Sequence, residues 1–354
     1  MAEILQICPN DHPPFADLLV RFEQAAVAAE INIETVVLSP SIGQPVAGMT
    51  YLNVEDLGNT RALRKAFAEN VDLQAERDLI LCHRYRAYTL GLMCKHPRRK
   101  IVTLAHEFGL LDSWSRRLQR RLFAKQVCFA GVSPAVSEEL ARNTGMGAVI
   151  PNVIDPHEFA KTRLDRGTAR QQLGLTGPGP WIAVIGRLHY KKRPELALQA
   201  FQQFKADHAD AEIAFLGEGS ASTTATLANG GAKLLGNVPD AHRYLAAFDV
   251  VLHTGNVEAF GMVLLEAMAA GVPAVALSGG GPEYVLGDVG FYPEEDSARG
   301  FANALGQAVS ADTEDIAERG RQRIERMFTV QVLSDTLTNL VAFVAEDEKD
   351  PFAK

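Results

Sequence analysis

The chain has 354 residues, 47% of them apolar and 22% charged, with a formal net charge of −8. Such a length calls for two domains rather than one core, and the composition is that of a soluble globular protein. The negative balance argues against a general nucleic-acid binder, and no apolar run reaches the roughly 18 residues of a membrane-spanning helix.

The opening MAEILQICPNDHPP lacks the basic flank and cleavage site of a secretory signal. Cys8, Cys82, Cys94 and Cys128 have neither paired nor metal-ligand spacing. A reduced, cytosolic protein with structural thiols is expected. Short apolar runs then alternate with amphipathic stretches. Strands are expected at Ile4–Cys8, Asn32–Leu38, Asp78–Cys82, Lys100–Ala105, Val127–Val132 and Ala148–Ile150. Helices are expected at Pro14–Ala29, Thr60–Glu69, Tyr85–Cys94, Ser113–Lys125 and Ala135–Asn143. Thr176-Gly-Pro-Gly-Pro180 reads as a linker, too rich in Gly and Pro for an element interior. The alternation restarts with strands at Trp181–Ile185, Ile213–Leu216, Lys233–Leu235, Val250–His253, Pro273–Leu277 and Gly290–Tyr292. Its helices are Arg193–Ala206, His242–Phe248, Gly261–Gly271, Ser297–Val309 and Thr313–Met327. A last amphipathic helix, Val330–Ala345, precedes a charged tail, Glu346–Lys354, expected to fray. The pattern is α/β, with two tandem Rossmann-like domains of parallel strands and a ligand cleft expected between them.

In such sheets ligands bind at the carboxyl ends of the strands. Those ends carry His83–Arg84 and His106–Glu107 in the first half, and Gly186–Arg187, Gly217–Glu218–Gly219 and Gly255–Glu258 in the second. The stretch EAFGMVLLEAMAAG, Glu258–Gly271, is so apolar that it reads as a helix buried on all sides, with Glu266 inside it. Its start at Gly261 offers free backbone N–H groups and a positive dipole end just after Glu258, which is an anion site. A core helix whose glutamate satisfies a neighbour is the plain structural alternative. Arg187 and Lys192, in GRLHYKK directly after a strand, supply a planar fork and a point charge suited to a diphosphate.

Weaker signals surround these. Gly217-Glu218-Gly219-Ser220 does not complete a dinucleotide fingerprint, and a tight turn or a ligand-facing loop explains it equally. Ser278-Gly279-Gly280-Gly281-Pro282-Glu283 permits close backbone approach to a ligand, with Glu283 as a dipole partner. His83 and His106 stand at adjacent strand ends but match no metal motif, so no metal is expected. In SWSRRLQRRLFAK, Arg116, Arg117, Arg120, Arg121 and Lys125 share one helical face, with Trp114, Leu118, Leu122 and Phe123 mostly on the other. This is either a solvated surface helix or a basic amphipathic helix for acidic lipid or an anionic acceptor.

Taken in order and spacing, GRLHYKK, GEGS, LLGNVPD and EAFGMVLLEAMAAGVPAVALSGGGPEYV resemble the family 4 retaining glycosyltransferases of the GT-B fold. The match runs from Trp181 to Tyr292, and CHRYRAYTLG, VTLAHEF, FAGVSPAVSEEL and VIPNVIDPHEF resemble the family's first half more loosely. The resemblance implies an N-terminal acceptor-side domain, 1–176, joined by the C-terminal helix 330–347, and a nucleotide-sugar donor domain, 177–329. It implies that Arg187 and Lys192 hold the donor diphosphate, Glu266 the ribose and Glu258 the donor sugar. Phe260, Gly261 and Met262 would hold sugar and phosphate, the Val238 region the base, and His106 would line the sugar and acceptor side. Gly217 joins the donor side; Glu258, His106, Arg187 and Lys192 are the catalytic candidates. His83, Arg116, Arg117, Arg120 and Arg121 mark the acceptor or membrane side. Where the family carries a Gly-Gly loop after the first strand, this chain reads Pro9-Asn10-Asp11-His12-Pro13-Pro14-Phe15.

The implied reaction is metal-independent transfer with retention, by front-face attack of an acceptor hydroxyl on a nucleotide sugar. No cofactor is required; a UDP-sugar is preferred over a GDP-sugar. The basic helix makes a glycan on a membrane-borne glycolipid or lipopolysaccharide-type core the expected acceptor, met from the cytoplasm at the inner face of the cytoplasmic membrane. The rivals are a transferase with a soluble acceptor and a catalytically silent nucleotide-sugar-binding partner in a polysaccharide assembly complex. Neither half opens with a completed glycine fingerprint, which argues against a dinucleotide-dependent oxidoreductase.

Overall fold

The computed structural model describes residues 1–12, 15–41, 43–94, 101–123, 127–144 and 147–345. Expectations placed on Pro14, Lys100, Lys125 and the tail 346–354 lie outside them. The chain packs as two compact units, Met1–Val153 with Phe328–Lys354, and Ile154–Met327.

In the first unit the order is β1 (Ala2–Cys8), α1 (Phe15–Ala28), β2 (Ile31–Val37), β3 (Thr50–Tyr51), α2 (Thr60–Asn70), β4 (Leu79–His83) and α3 (Arg84–Gly91). Then come β5 (Ile101–Ala105), α4 (Trp114–Leu122), β6 (Val127–Gly131), α5 (Pro134–Thr144) and β7 (Ala148–Val149). The strands form one parallel sheet in the order β3-β2-β1-β4-β5-β6-β7. β4 and β5 are buried along their whole length, as a sheet covered on both faces requires. Burial pushes the thiol of Cys8 up to about 12 and that of Cys94 up to about 11, so neither is a ready nucleophile.

The second unit runs α6 (Pro156–Thr162), α7 (Arg166–Gln172), β8 (Trp181–Ile185), α8 (Pro194–Lys205), β9 (Glu212–Leu216), α9 (Ala221–Asn229), β10 (Lys233–Gly236) and β11 (Val250–His253). α10 (Met262–Ala270), β12 (Ala274–Ala276), α11 (Gly280–Leu286), α12 (Ala298–Val309) and α13 (Thr313–Met327) complete it. Its parallel sheet has the order β10-β9-β8-β11-β12, and Ile182, Ile213, Phe215, Leu252 and Phe301 lie in its core. The last helix, α14 (Val330–Ala345), belongs to the first unit, where it packs on α1. The Thr176–Pro180 stretch lies inside the second unit, because α7 ahead of it is tied down there. Arg170 donates to the Ala247 carbonyl and to Asp249, and Arg166 pairs with Asp249.

Four expectations need correction. Gly290–Tyr292 is no strand: Phe291 makes a single bridge to Val275, and Pro293 follows without an N–H to extend the ladder. The segment expected as a helix at His242–Phe248 is a 3-10 turn, Ala241–Ala247, since the short link from β10 to β11 closes with i→i+3 bonds. Three short helices, α6, α7 and α9, were not expected; each starts on a capping side chain, Asp155, Asp165 or Ser220. Finally, α10 is not buried on all sides. Leu264, Leu265, Ala267, Met268 and Ala270 are buried, whereas Met262, Val263, Glu266 and Ala269 form a half-exposed stripe. Glu266 therefore lies on the partly exposed stripe of the helix rather than in its buried face.

Candidate functional site

Each sheet has one point where the strand order reverses, between β1 and β4 in the first unit and between β8 and β11 in the second. Ligands of open α/β sheets sit outside the carboxyl ends of strands at such a point. In the second unit this position is occupied by the segment after β8 and the segment after β11.

After β8, Gly186 turns the chain at φ 127°, a conformation that L side chains avoid. Arg187 follows, exposed, its side chain without a hydrogen bond or ion pair among the described residues. The 3-10 turn Tyr190–Lys192 then brings Lys192 back toward the sheet. Arg193 holds that turn from a left-handed backbone at φ 49°. Its guanidinium donates to the Thr254 carbonyl at 2.6 Å and to both oxygens of Asp296 at 2.7 and 2.9 Å. Thr254 Oγ1 donates in turn to the carbonyls of Lys192 and Arg193, at 2.9 and 3.0 Å.

Held in this way, Lys192 Nζ donates to Glu258 Oε2, and His253 Nε2 donates to the same oxygen at 3.1 Å. His253 is 4% exposed, at the last position of β11. Burial works to raise the Glu258 carboxyl, but the His253 hydrogen bond and the Lys192 charge outweigh it and hold the group at about 2. Glu258 is thus ionised throughout the physiological range.

Glu258 leads into α10, whose N-cap Gly261 (φ 98°) has no side-chain cap. The amides of Gly261, Met262 and Val263 therefore lack an intrahelical acceptor. They form, with Arg187 and Lys192, an arrangement that can bind a polyanion. The glycine loop before α11 supports this turn rather than meeting a ligand itself. Gly281 N donates to the Glu258 carbonyl at 3.1 Å, and a Cβ on Gly281 would stand 2.4 Å from Phe260 N. Glu283 accepts from Gly279 N at 2.6 Å, so its carboxylate closes its own loop. The GEG glycines have a similar task. A Cβ on Gly217 would meet the Gly186 carbonyl oxygen at 2.0 Å and one on Gly219 would meet Leu188 Cβ at 2.6 Å. The loops after β8 and β9 run side by side, joined by Leu188 N donating to the Glu218 carbonyl at 2.7 Å.

In the first unit, His83 and His106 end β4 and follow β5. Gln6 Nε2 donates to His83 Nε2 at 3.0 Å, which leaves His83 Nδ1–H to donate to His106 Nε2 at 2.9 Å. The remaining proton of His106 is then on Nδ1. Burial and the nearby Arg84 charge push His83 down to about 3; burial and His83 push His106 well below its ordinary value. The pair is neutral at physiological pH, so His106 offers a fixed hydrogen-bond donor and no charge. Asp11, in the loop that departs from the family pattern, is buried, and its Oδ2 accepts from Ser41 Oγ at 2.6 Å and Tyr51 OH at 3.0 Å.

Residues 165–323 match the family described as glycosyl transferases group 1. The second unit is a group 1 glycosyltransferase domain. The whole chain has the GT-B fold: it superposes on a glycosyltransferase from Rickettsia africae at a TM-score of 0.77, covering 98% of this chain and 99% of that one at 16% identity. Anabaena HepE, solved with UDP and glucose, gives 0.76 over 97% of this chain and 100% of that one at 20% identity. Among curated relatives, a GDP-mannose-dependent phosphatidylinositol monomannoside mannosyltransferase of Corynebacterium glutamicum is 29% identical over 54% of this chain and 55% of its own length. An N-acetyl-alpha-D-glucosaminyl L-malate synthase of Bacillus anthracis is 26% identical over 72% of this chain and 70% of its own. The matched region is thus about half the length of the first of these relatives.

In this glycosyltransferase domain the structure brings together Arg187, Lys192, Glu258 and Gly261 around one strand-order reversal. Phe260 and Met262 flank Gly261, Glu266 lies one turn further along α10, and half-buried Val238 follows β10. Gly217 is a packing glycine beneath the β8 loop. Arg193, His253, Thr254 and Asp296, which position Lys192 and Glu258, are not evident from the sequence. Only the place of His253 at a strand end pointed to it. Among the described residues no group of three His, Cys, Asp or Glu side chains is placed to hold a metal ion, and no helix is long and apolar enough to cross a membrane.

Proposed function

We propose that the protein is a retaining glycosyltransferase that moves a sugar from a nucleoside diphosphate sugar, preferentially a UDP-sugar, to a hydroxyl of a glycan or glycolipid. The observation that carries this reading is the placement, at the reversal point of the second sheet, of Arg187, without an ion pair among the described residues, of Lys192 held on Glu258, and of the uncapped start of α10. A nucleoside diphosphate is a good leaving group, so the step needs stabilisation of the departing charge more than a strong acid. The two cations and the α10 amides supply it without a protein-bound metal. The acceptor hydroxyl attacks the anomeric carbon from the face the diphosphate leaves, the sugar–phosphate bond breaks, and the departing phosphate oxygen takes the hydroxyl proton. Glu258 contacts the donor sugar and Glu266 the ribose, while His106 presents its Nδ1–H on the acceptor side. Val238 lies toward the base.

Work at an acidic lipid surface, on the inner face of the cytoplasmic membrane, is supported by α4. None of its residues is buried, and Trp114, Leu118 and Leu122, at 76%, 47% and 72% exposure, form an outward apolar stripe at helical spacing. Arg117 and Arg121 are exposed on the same short helix, and Arg116 and Arg120 are half-buried. An ordinary surface helix turns its apolar residues inward; a helix lying in a lipid interface turns them out.

The test is a thermal-shift and product-analysis panel of UDP-, GDP- and ADP-sugars. One donor should stabilise the protein by about 2.7 kcal/mol at a hundred times its dissociation constant. GDP-mannose belongs in the panel because the Corynebacterium relative is named for it. Donor binding without transfer to any glycan or lipid acceptor, and without hydrolysis, would overturn the enzyme in favour of a silent binding partner.

A further inference from the structure

The first sheet has its own reversal point, and a cavity of about 260 Å³ lies there. Pro9 and Asn10 after β1, Arg84, Tyr85 and Arg86 after β4, and Glu107 to Leu110 after β5 line it, with Arg116 from α4. Three guanidinium groups face it against one carboxylate, and that carboxylate, Glu107, is 66% exposed and 3.9 Å from Arg84 Nε. A pair at that distance is no hydrogen bond, and Arg84 Nε is buried without a hydrogen-bond partner among the described residues. Arg84 is also held in a left-handed backbone at φ 69°, with its guanidinium 4.6 Å over the Phe15 ring. Arg116 is steadied by the Tyr85 ring at 4.5 Å and by one bond to the Leu110 carbonyl, which leaves most of its donors free. The Arg86 side chain makes no hydrogen bond or ion pair among the described residues. Beside them, α3 begins at Arg84 with no side-chain cap, so its first amides also lack acceptors.

A buried guanidinium nitrogen without a partner is costly unless a ligand supplies the acceptor. Planar forks match the oxygens of a phosphate, which also carries more charge and more acceptors than a carboxylate. The cavity is smaller than the roughly 300–1,000 Å³ of drug-sized sites, a size for a head group rather than a whole glycolipid. We propose that this cavity binds the phosphate ester of an anionic acceptor through Arg84, Arg86, Arg116 and the start of α3. The proposal rests on the transferase reading and narrows its acceptor to a phosphate-bearing one. α4 supplies Arg116 to the cavity and an apolar stripe to the outside, so the same site accommodates a lipid head group or a soluble sugar phosphate.

Glycerol phosphate and phosphatidylcholine vesicles with or without phosphatidic acid are the probes, at constant ionic strength set with chloride. Glycerol phosphate should stabilise the wild-type protein thermally and chloride should not. The Arg86→Gln/Arg116→Gln variant should bind it at least tenfold more weakly, since each charge-assisted contact carries about that factor or more. Response to glycerol phosphate identifies the soluble ester as sufficient. Response only to phosphatidic acid vesicles, lost in the same variant, identifies the lipid head group. Failure of both probes, or binding unchanged by the double substitution, overturns the proposal. A nucleoside diphosphate titration of the same samples separates the two readings. If the nucleotide binds and phosphate esters do not, only the phosphate site falls; if phosphate esters bind and no nucleotide does, only the transferase falls.

Discussion

The Glu258 carboxylate offers the most direct physical test of the site, in the variant Glu258→Gln. Its folded value of about 2 lies well below the ordinary 4.5. The ionised form is therefore favoured in the native state by about 3 kcal/mol, at roughly 1.4 kcal/mol for each tenfold change in proton affinity. Because the folded value is depressed, this stability is fully present above 4.5 and is lost as pH falls from there toward 2. About half should be gone near pH 3 by the same linkage relation. The variant has no such titration, and the other carboxylates of the chain cancel between the two proteins. Urea unfolding of both, repeated from neutral pH to about pH 3, should give a stability difference that is largest at neutral pH and shrinks by about 1.5–2 kcal/mol on acidification. A difference that stays flat across that range would mean that the Lys192 and His253 contacts do not hold the carboxylate, and the site would not have this form in solution.

Other substitutions divide binding from stability. Arg187→Ala should weaken nucleoside diphosphate binding about tenfold or more in calorimetry, with a change in unfolding free energy within about 0.5 kcal/mol, because the side chain is exposed and makes no hydrogen bond or ion pair among the described residues. Gly281→Ala forces a methyl against Phe260 N and should cost about 1–3 kcal/mol in urea unfolding, with weaker donor binding as the turn before α10 moves. Leu118→Ser/Leu122→Ser should abolish flotation with acidic vesicles at low salt while leaving unfolding within about 1 kcal/mol, since both side chains face out. Gln6→Leu removes the donor to His83 Nε2 and should destabilise by about 1–3 kcal/mol, the cost of a buried imidazole left without its partner.

Most strands were legible because a sheet covered on both faces demands continuous apolar runs. Trp181–Ile185, Val250–His253, Thr313–Met327 and Val330–Ala345 coincide with the pattern to the residue. What escaped was short or set by single contacts. β3 is two residues long and carries no period, and α6, α7 and α9 are announced only by their caps. The surroundings of α10 were hidden for a different reason. A run such as MVLLEAMAA is apolar around its whole circumference, so its pattern cannot say which side is covered. Only packing leaves Met262, Val263, Glu266 and Ala269 partly exposed.

The reversal points explain why the cationic candidates were visible and their supports were not. A strand end at which the chain turns outward must expose polar groups, so Arg187 after β8 and Arg84 after β4 stand out from the apolar runs they follow. Their supports come from elsewhere along the chain: Asp296 lies 103 residues from the Arg193 it braces, and Gln6 is 77 residues from the His83 it orients. No local pattern encodes such a pair. The strain at Arg84 and Arg193, both left-handed without being glycine, is the local sign of the same constraint. An arginine at positive φ is a costly conformation that persists only where surrounding contacts over-determine it. In Arg193 those contacts are Asp296 and Thr254, all within the fold. In Arg84 the described residues supply the Phe15 ring and a distant Glu107, and leave a buried nitrogen unmet. The two arginines thus separate a cation that serves structure from one whose missing partner points to a ligand.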